Sequence, residues 1–306
     1  MKKGYDFFNS KKIDYVELSD EIKAEVGVLG GLDIFTDAHV KGVTATTTKI
    51  CDAMGMPYER LRYHVLGAYL HDVGKIYIPS EILQKPAALT DEEYEIMKKH
   101  TIFGYDICIQ YPQFKKLAEI ARWHHESFDG SGYPDGLKGE EIPIEASLVK
   151  VADVYDALTR RRQYKEGFSN SKTIEIMIED VKRNRMCAQF LYYLVVVLIR
   201  EIDGKINEAQ HTVSMYKDQL ETLHDLEAIY KEIYDRGYTQ SLKRKLGRYE
   251  LHPGYDMSTN AQLLTSKQKV YEKESENYQF MLSEREKLTK QLKEVKLLSK
   301  KEKWYK

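Results

Sequence analysis

Five of the chain's nine histidines fall in a series with two aspartates: His39, His71-Asp72, His100, His124-His125 and Asp153. Imidazole and carboxylate groups without thiolate suit iron, manganese, nickel or zinc. Each point of the series lies on a different expected helix or at its end. Adjacent residues on a helix diverge by about 100°, so a doublet such as His71-Asp72 or His124-His125 serves two neighbouring metals better than one compact tetrahedral site. A bridging carboxylate fits Asp72. Two metals a few ångströms apart share and deprotonate a water for attack at phosphorus. Taken alone, His39 or His100 reads as an ordinary surface or core histidine, so the argument rests on the series and on the strings around it.

These residues need helices to hold them. From about Thr36 to Ile202 amphipathic helical segments alternate with short polar breaks, and no stretch shows strand-length alternation, so the class is all-α. One helix is expected from Asp37 to Met54, stopped by Gly55 with Pro57 beyond it. A second begins near Tyr58 and carries Leu61, Val65, Ala68, Tyr69 and Asp72 toward Gly74. Thr90-Asp91-Glu92-Glu93 has a capping-box layout and is expected to open a helix carrying His100. Gly130, Gly132, Pro134, Gly136 and Gly139 form a loop after Glu126, and a helix through Leu148 to Leu158 follows.

After about Asp203 glycine becomes scarce and Lys and Glu dominate. Ile206, Ala209, Val213, Tyr216, Leu220 and Leu223 step by three and four, a heptad seam. A second seam, Tyr271, Tyr278, Met281, Leu288, Leu292 and Val295, follows a break at His252-Pro253-Gly254. The expectation is a helical hairpin or coiled coil for dimerisation or docking. A net charge of -1 argues against a globally basic binder of DNA, RNA or membrane, so an anionic ligand must meet a local cluster of positive side chains. The apolar run from Phe190 to Ile199 is about half of what a membrane span needs. Cys51, Cys108 and Cys187 show no paired spacing and Met1-Lys2-Lys3 opens no apolar leader, so reduced thiols and a cytoplasmic location are expected.

His71-Asp72-Val73-Gly74-Lys75, followed by His124-His125-Glu126-Ser127-Phe128-Asp129-Gly130-Ser131-Gly132-Tyr133-Pro134 and by Ala152-Asp153-Val154-Tyr155-Asp156-Ala157-Leu158-Thr159, resembles the HD-GYP subgroup of the HD-domain phosphohydrolases. The resemblance runs from about Asp37 to Ile202. It implies an HD-domain helical bundle over residues 36–203, between an N-terminal extension at 1–35 and the helical tail at 204–306. It implies that His39, His71, Asp72, His100, His124, His125 and Asp153 bind two divalent metal ions, iron or manganese, with Asp72 between them. Asp72 and Lys75 then carry catalysis: an ammonium close behind the His-Asp pair would stabilise charge growing on phosphate oxygens. Lys75, Arg162 and Lys165 match positions that grip the substrate, a cyclic dinucleotide.

Three departures from the family pattern stand out. Phe35 occupies the place where many members carry a glutamate for a third metal, which implies a two-metal site and cleavage of cyclic di-GMP mainly to linear pGpG. Gln163 stands where proline commonly precedes the tyrosine, and the usual Phe-Asp-Pro run is missing near Met186 to Phe190. The expected function is therefore a phosphodiesterase for cyclic di-GMP. The alternatives are a phosphodiesterase for another cyclic dinucleotide such as cyclic GMP-AMP, a non-catalytic sensor signalling through its tail, and a scaffold built on the long helices.

Overall fold

Gly55 ends the first helix in the left-handed region, at φ 68°, with Gly55 N donating to Asp52 O and Met56 N to Cys51 O. Helix α1 accordingly spans Ile34–Ala53, and α2, opened by Pro57, spans Tyr58–Leu70. The computed structural model describes residues 34–112, 114–160, 167–249 and 256–302, with side chains from residue 38 onward. After α2 come a 3-10 turn, Val73–Tyr77, and the helices α3 (Ser80–Leu83), α4 (Asp91–Lys98), α5 (His100–Gln110), α6 (Ala118–Trp123), α7 (Ile144–Thr159) and α8 (Asn170–Lys182). Two long helices, α9 (Ala188–Arg236) and α11 (Met257–Ser299), flank the short α10 (Gln240–Leu246). No strand occurs among the described residues; an isolated bridge pairs Asp129 with Lys138. The all-α expectation holds.

The chain divides into two units, one ending at Leu198 and resuming at Lys287, the other Ile199–Glu286. The first has its core where α1, α2, α5, α6 and α7 meet, around Val43, Ala68, Ile107, Ile120, Val149 and Ala152. A Cβ on Gly67 would lie 2.2 Å from Ile120 Cδ1, so that glycine lets α2 approach α6. Phe190, Leu191, Leu194 and Val195, from the run expected to be a buried helix, complete the core.

Residues 287–302 also belong to this unit, although the sequence pattern assigned everything after 203 to a separate tail. The reason is physical: Leu288 and Val295 are fully buried, Gln291 Nε2 donates to Ser171 O, and the Glu302 carboxylate accepts from Ala188 N and Gln189 N at the start of α9. A carboxylate on those first amides satisfies orphan donors and opposes the helix dipole.

In the second unit α9 and α11 run antiparallel, with Asp203 paired to Arg285 near one end and Asn260 Nδ2 donating to Leu223 O further along. Ile202, Ile206 and Ala209 pack with Met281 and Tyr278, so the seam read from the sequence is filled from within the chain. The break at His252-Pro253-Gly254 lies outside the described residues. No helix among the described residues is long and apolar enough to cross a membrane, and the three cysteines are buried and outside any disulfide.

Candidate metal centre

Helix ends rather than helix middles supply most of the candidate ligands. His71 caps α2 and Asp72 follows it; His124 caps α6 and His125 follows it. Contrary to the expectation from sequence, His100 does not ride on the helix opened by Thr90, although the capping box of Thr90 and Glu93 is fully formed. That helix stops at Lys98, and His100 is the first residue of α5. His39 comes from the middle of α1 and Asp153 from α7.

The structure brings all seven together around Asp72. His71 Nε2 and His39 Nε2 lie 3.2 and 3.6 Å from Asp72 Oδ2, while His100 Nε2 and His124 Nε2 lie 3.4 and 3.9 Å from Oδ1. Asp153 spans the other side, with Oδ1 3.1 Å from His39 Nε2 and Oδ2 3.9 Å from His125 Nδ1. Two groups of possible ligand atoms share Asp72: one with His39 and His71, the other with His100, His124 and His125.

Main-chain carbonyls decide which ring nitrogens face inward. The Nδ1 atoms of His71, His100 and His124 lie 2.6, 2.7 and 3.0 Å from the carbonyl oxygens of Ala68, Met97 and Ala121. A carbonyl only accepts, so each Nδ1 carries the proton and each Nε2 is left with its lone pair. Those three Nε2 atoms and Asp72 Oδ1 are buried and have no hydrogen-bond partner among the described residues. Four orphaned acceptors with no donor between them fit divalent metal, and the nitrogen and oxygen donor set suits iron, manganese or zinc.

Electrostatics agree. Burial and the neighbouring imidazoles push His124 well below the usual histidine value, and burial lowers His125 to about 3 and His100 to about 4, so all three are neutral near pH 7. Burial would lower His39 too, but hydrogen bonds to Asp153 and Asp156 outweigh it and raise His39 to about 9. Burial disfavours charge on Asp72, yet His71 and Lys75 hold its carboxyl well below the ordinary range.

Lys75 lies on the 3-10 turn, which brings its Nζ to 2.6 Å from Asp72 Oδ2. The turn can lie so close because Gly74 has no side chain: a Cβ there would sit 2.0 Å from His100 O and 2.4 Å from Gly104 N. Arg162 and Lys165, and the side chains of Phe35 and Asp37, lie outside the described residues, as does Gln163.

Sequence reasoning assigned no role to several residues that build the surroundings. Asp156 accepts from His39 Nδ1 at 2.7 Å and from Arg160, whose guanidinium also reaches Ala38 O. Its signal was available, since Asp156 follows Asp153 by three residues on one helix face. Glu126, 1% exposed, accepts backbone N–H groups from Asp135, Gly136 and Leu137, and Lys150 Nζ donates to Glu126 O and Ser127 Oγ. Main-chain partners leave no mark on sequence spacing. Tyr133, in the loop that follows Glu126, stacks its ring on His125 with centroids 4.7 Å apart and planes 24° off parallel.

A family model for the HD domain matches residues 18–186. The chain is 44% identical over 144 residues to the cyclic di-GMP phosphodiesterase response regulator RpfG of Xanthomonas campestris, and 44% identical over 152 residues to a cyclic di-GMP phosphodiesterase of Thermotoga maritima. It is 36% identical over 151 residues to 3'3'-cGAMP-specific phosphodiesterase 2 of Vibrio cholerae. These matches cover 46%, 49% and 49% of the chain, but only 36%, 40% and 29% of the relatives' own lengths.

Proposed function

Because the chain belongs to the HD domain family, with the motif strings of its HD-GYP subgroup, we propose that residues 36–203 act as a metal-dependent phosphodiesterase on a cyclic dinucleotide, cyclic di-GMP first. One observation carries the reading: three buried imidazole lone pairs and a carboxylate oxygen converge with nothing among the described residues to satisfy them. The names of the relatives supply the substrate class.

His39, His71, Asp72, His100, His124, His125 and Asp153 would hold two divalent ions, iron or manganese, with Asp72 offering one oxygen to each group. Bound there, the metals would polarise a phosphoryl oxygen and lower the pKa of a water. The protein's own part is positional. Carbonyls fix three imidazoles, Asp156 fixes His39, and burial keeps His100, His124 and His125 unprotonated and ready to donate. Lys75, against Asp72, sets a positive charge beside the place a phosphate would approach, and Arg162 with Lys165 would grip the anionic ring. With Phe35 at the third-metal position, linear pGpG is the proposed product.

A second reading, 3'3'-cGAMP as substrate, is favoured by the relative named for that activity. A cytoplasmic location accords with three buried cysteines outside any disulfide. The dimerisation or docking role expected of residues 204–306 is proposed for the part that lies in the second unit, up to Glu286.

The test is elemental analysis of anaerobically purified protein, paired with product analysis after incubation with cyclic di-GMP, with Asp72→Ala as control. About two metals per chain and pGpG as product, both lost in the variant, are expected from a site built on one shared carboxylate. Metal without turnover of cyclic di-GMP would transfer the assignment to cGAMP. Absence of both would overturn it.

A further inference from the structure

Among the described residues, every histidine of the cluster except His125 has a hydrogen bond to fix its ring. His71, His100 and His124 use backbone carbonyls, and His39 uses Asp156. The nearest carboxylate oxygen to His125 is 3.9 Å from Nδ1, beyond hydrogen-bond reach, and its side chain is 26% exposed while those of His71 and His124 are fully buried. Its ring is instead met by three others: His124 tilted at 4.1 Å, Tyr133 stacked at 4.7 Å, and His100 edge-on at 5.2 Å; of these Tyr133 alone is not a candidate ligand.

Tyr133 is itself held from behind. The loop that carries it leaves the chain at Glu126 and folds back so that three successive amides, of Asp135, Gly136 and Leu137, donate to the Glu126 carboxylate at 2.7 to 3.1 Å. Gly132 crosses so tightly over the start of the loop that a Cβ would lie 2.4 Å from Glu126 Cα and from Ser127 N. Two ion pairs, Arg122 with Asp135 and Arg185 with Asp129, pin the loop from outside. The Tyr133 ring thus stands where it does because a buried anion gathers the backbone beyond it.

We infer that Glu126 and Tyr133 form an orienting arm for His125, substituting ring stacking for the hydrogen bond the other histidines have, and that this arm sets the affinity of the metal position built from Asp72, His100, His124 and His125. The inference rests on the metal-centre reading above and adds positioning residues to it. Neither residue is placed among the ligands. Loss of an orienting partner typically weakens metal binding by roughly 10- to 100-fold.

The experiment is titration of chelator-stripped protein with Mn(II), resolving the two sites by competition with a chelator of known affinity. Tyr133→Ala should weaken one site by about 10- to 100-fold and leave the other within about threefold. Tyr133→Phe, which keeps the ring, should bind both ions like the unaltered protein. Glu126→Gln sets an amide N–H against backbone N–H groups and should reproduce the alanine effect. The double variant Glu126→Gln/Tyr133→Ala should be no weaker than Tyr133→Ala, because both changes disable one arm. Two tight sites in Tyr133→Ala would overturn the inference, as would equal weakening of both, which marks general loosening. Should Glu126→Gln fail to fold, the comparison of alanine with phenylalanine at 133 decides alone. Failure of the unaltered protein to bind Mn(II) would instead strike at the metal-centre reading itself.

Discussion

Asp72 is the residue on which the site converges, and its surroundings show how one carboxylate can remain charged at 1% exposure: the Lys75 ammonium lies 2.6 Å from Oδ2, and His39, raised to about 9, lies 3.6 Å from the same oxygen. Charge at the loop works on the same principle in a wetter setting. Burial would raise Asp129, but Ser131, through its N–H and hydroxyl, and Arg185 lower it to about 2. A folded value below the unfolded one means stability that is complete above pH ~4 and is lost as pH falls toward 2. Asp129→Asn should therefore cost at most about 1 kcal/mol at neutral pH, and the difference from the unaltered protein should vanish at the acid end of that window, read from urea midpoints across pH. At this scale the sequence was most informative. All seven candidate ligands carry side-chain chemistry at recognisable spacing, and the structure gathers every one. Glu126 was not legible in the same way, because it works through backbone amides, whereas Asp156 left its mark three residues after Asp153 on one helix face.

The elements position these residues by ending. Two helices stop so that a histidine caps each and the next residue turns inward, and a third starts on His100, so the ligands sit where the backbone changes direction. Helix limits at Gly55 and Tyr58 and the capping box at Thr90 were readable, since each is a local conflict or bond between neighbours. The break at Lys99 was not. Nothing in Lys98-Lys99-His100 opposes a helix; the interruption answers to tertiary packing, where the 3-10 turn presses on His100 O through Gly74. Gly74→Ala tests that contact. Both nearest atoms are main chain and cannot swing aside, so a loss of about 1 to 3 kcal/mol in stability is expected, with weakened metal content, measured by thermal unfolding and elemental analysis.

For the whole molecule, the helical seams were visible as seams but their partners were not, because a heptad pattern specifies an apolar stripe and leaves open which helix covers it. Residues up to 286 find that cover inside the second unit, whereas Leu288 and Val295 spend theirs in the first. Truncation after Asp203 should therefore injure the first unit: burial of about 1.5 to 3 kcal/mol is lost for each of those two side chains, besides the Glu302 cap. Excision of residues 199–286 with a short linker should preserve the first unit's melting temperature and metal binding far better, by calorimetry and elemental analysis; equal damage from both would contradict the division. The return of the last helix also orders events in time. During synthesis every candidate metal ligand has emerged by residue 153, yet the turn that closes over Ala188 arrives with residue 302, after the whole hairpin. A nascent chain thus carries every candidate ligand before the contacts of Leu288, Val295 and Glu302 with the first unit can form.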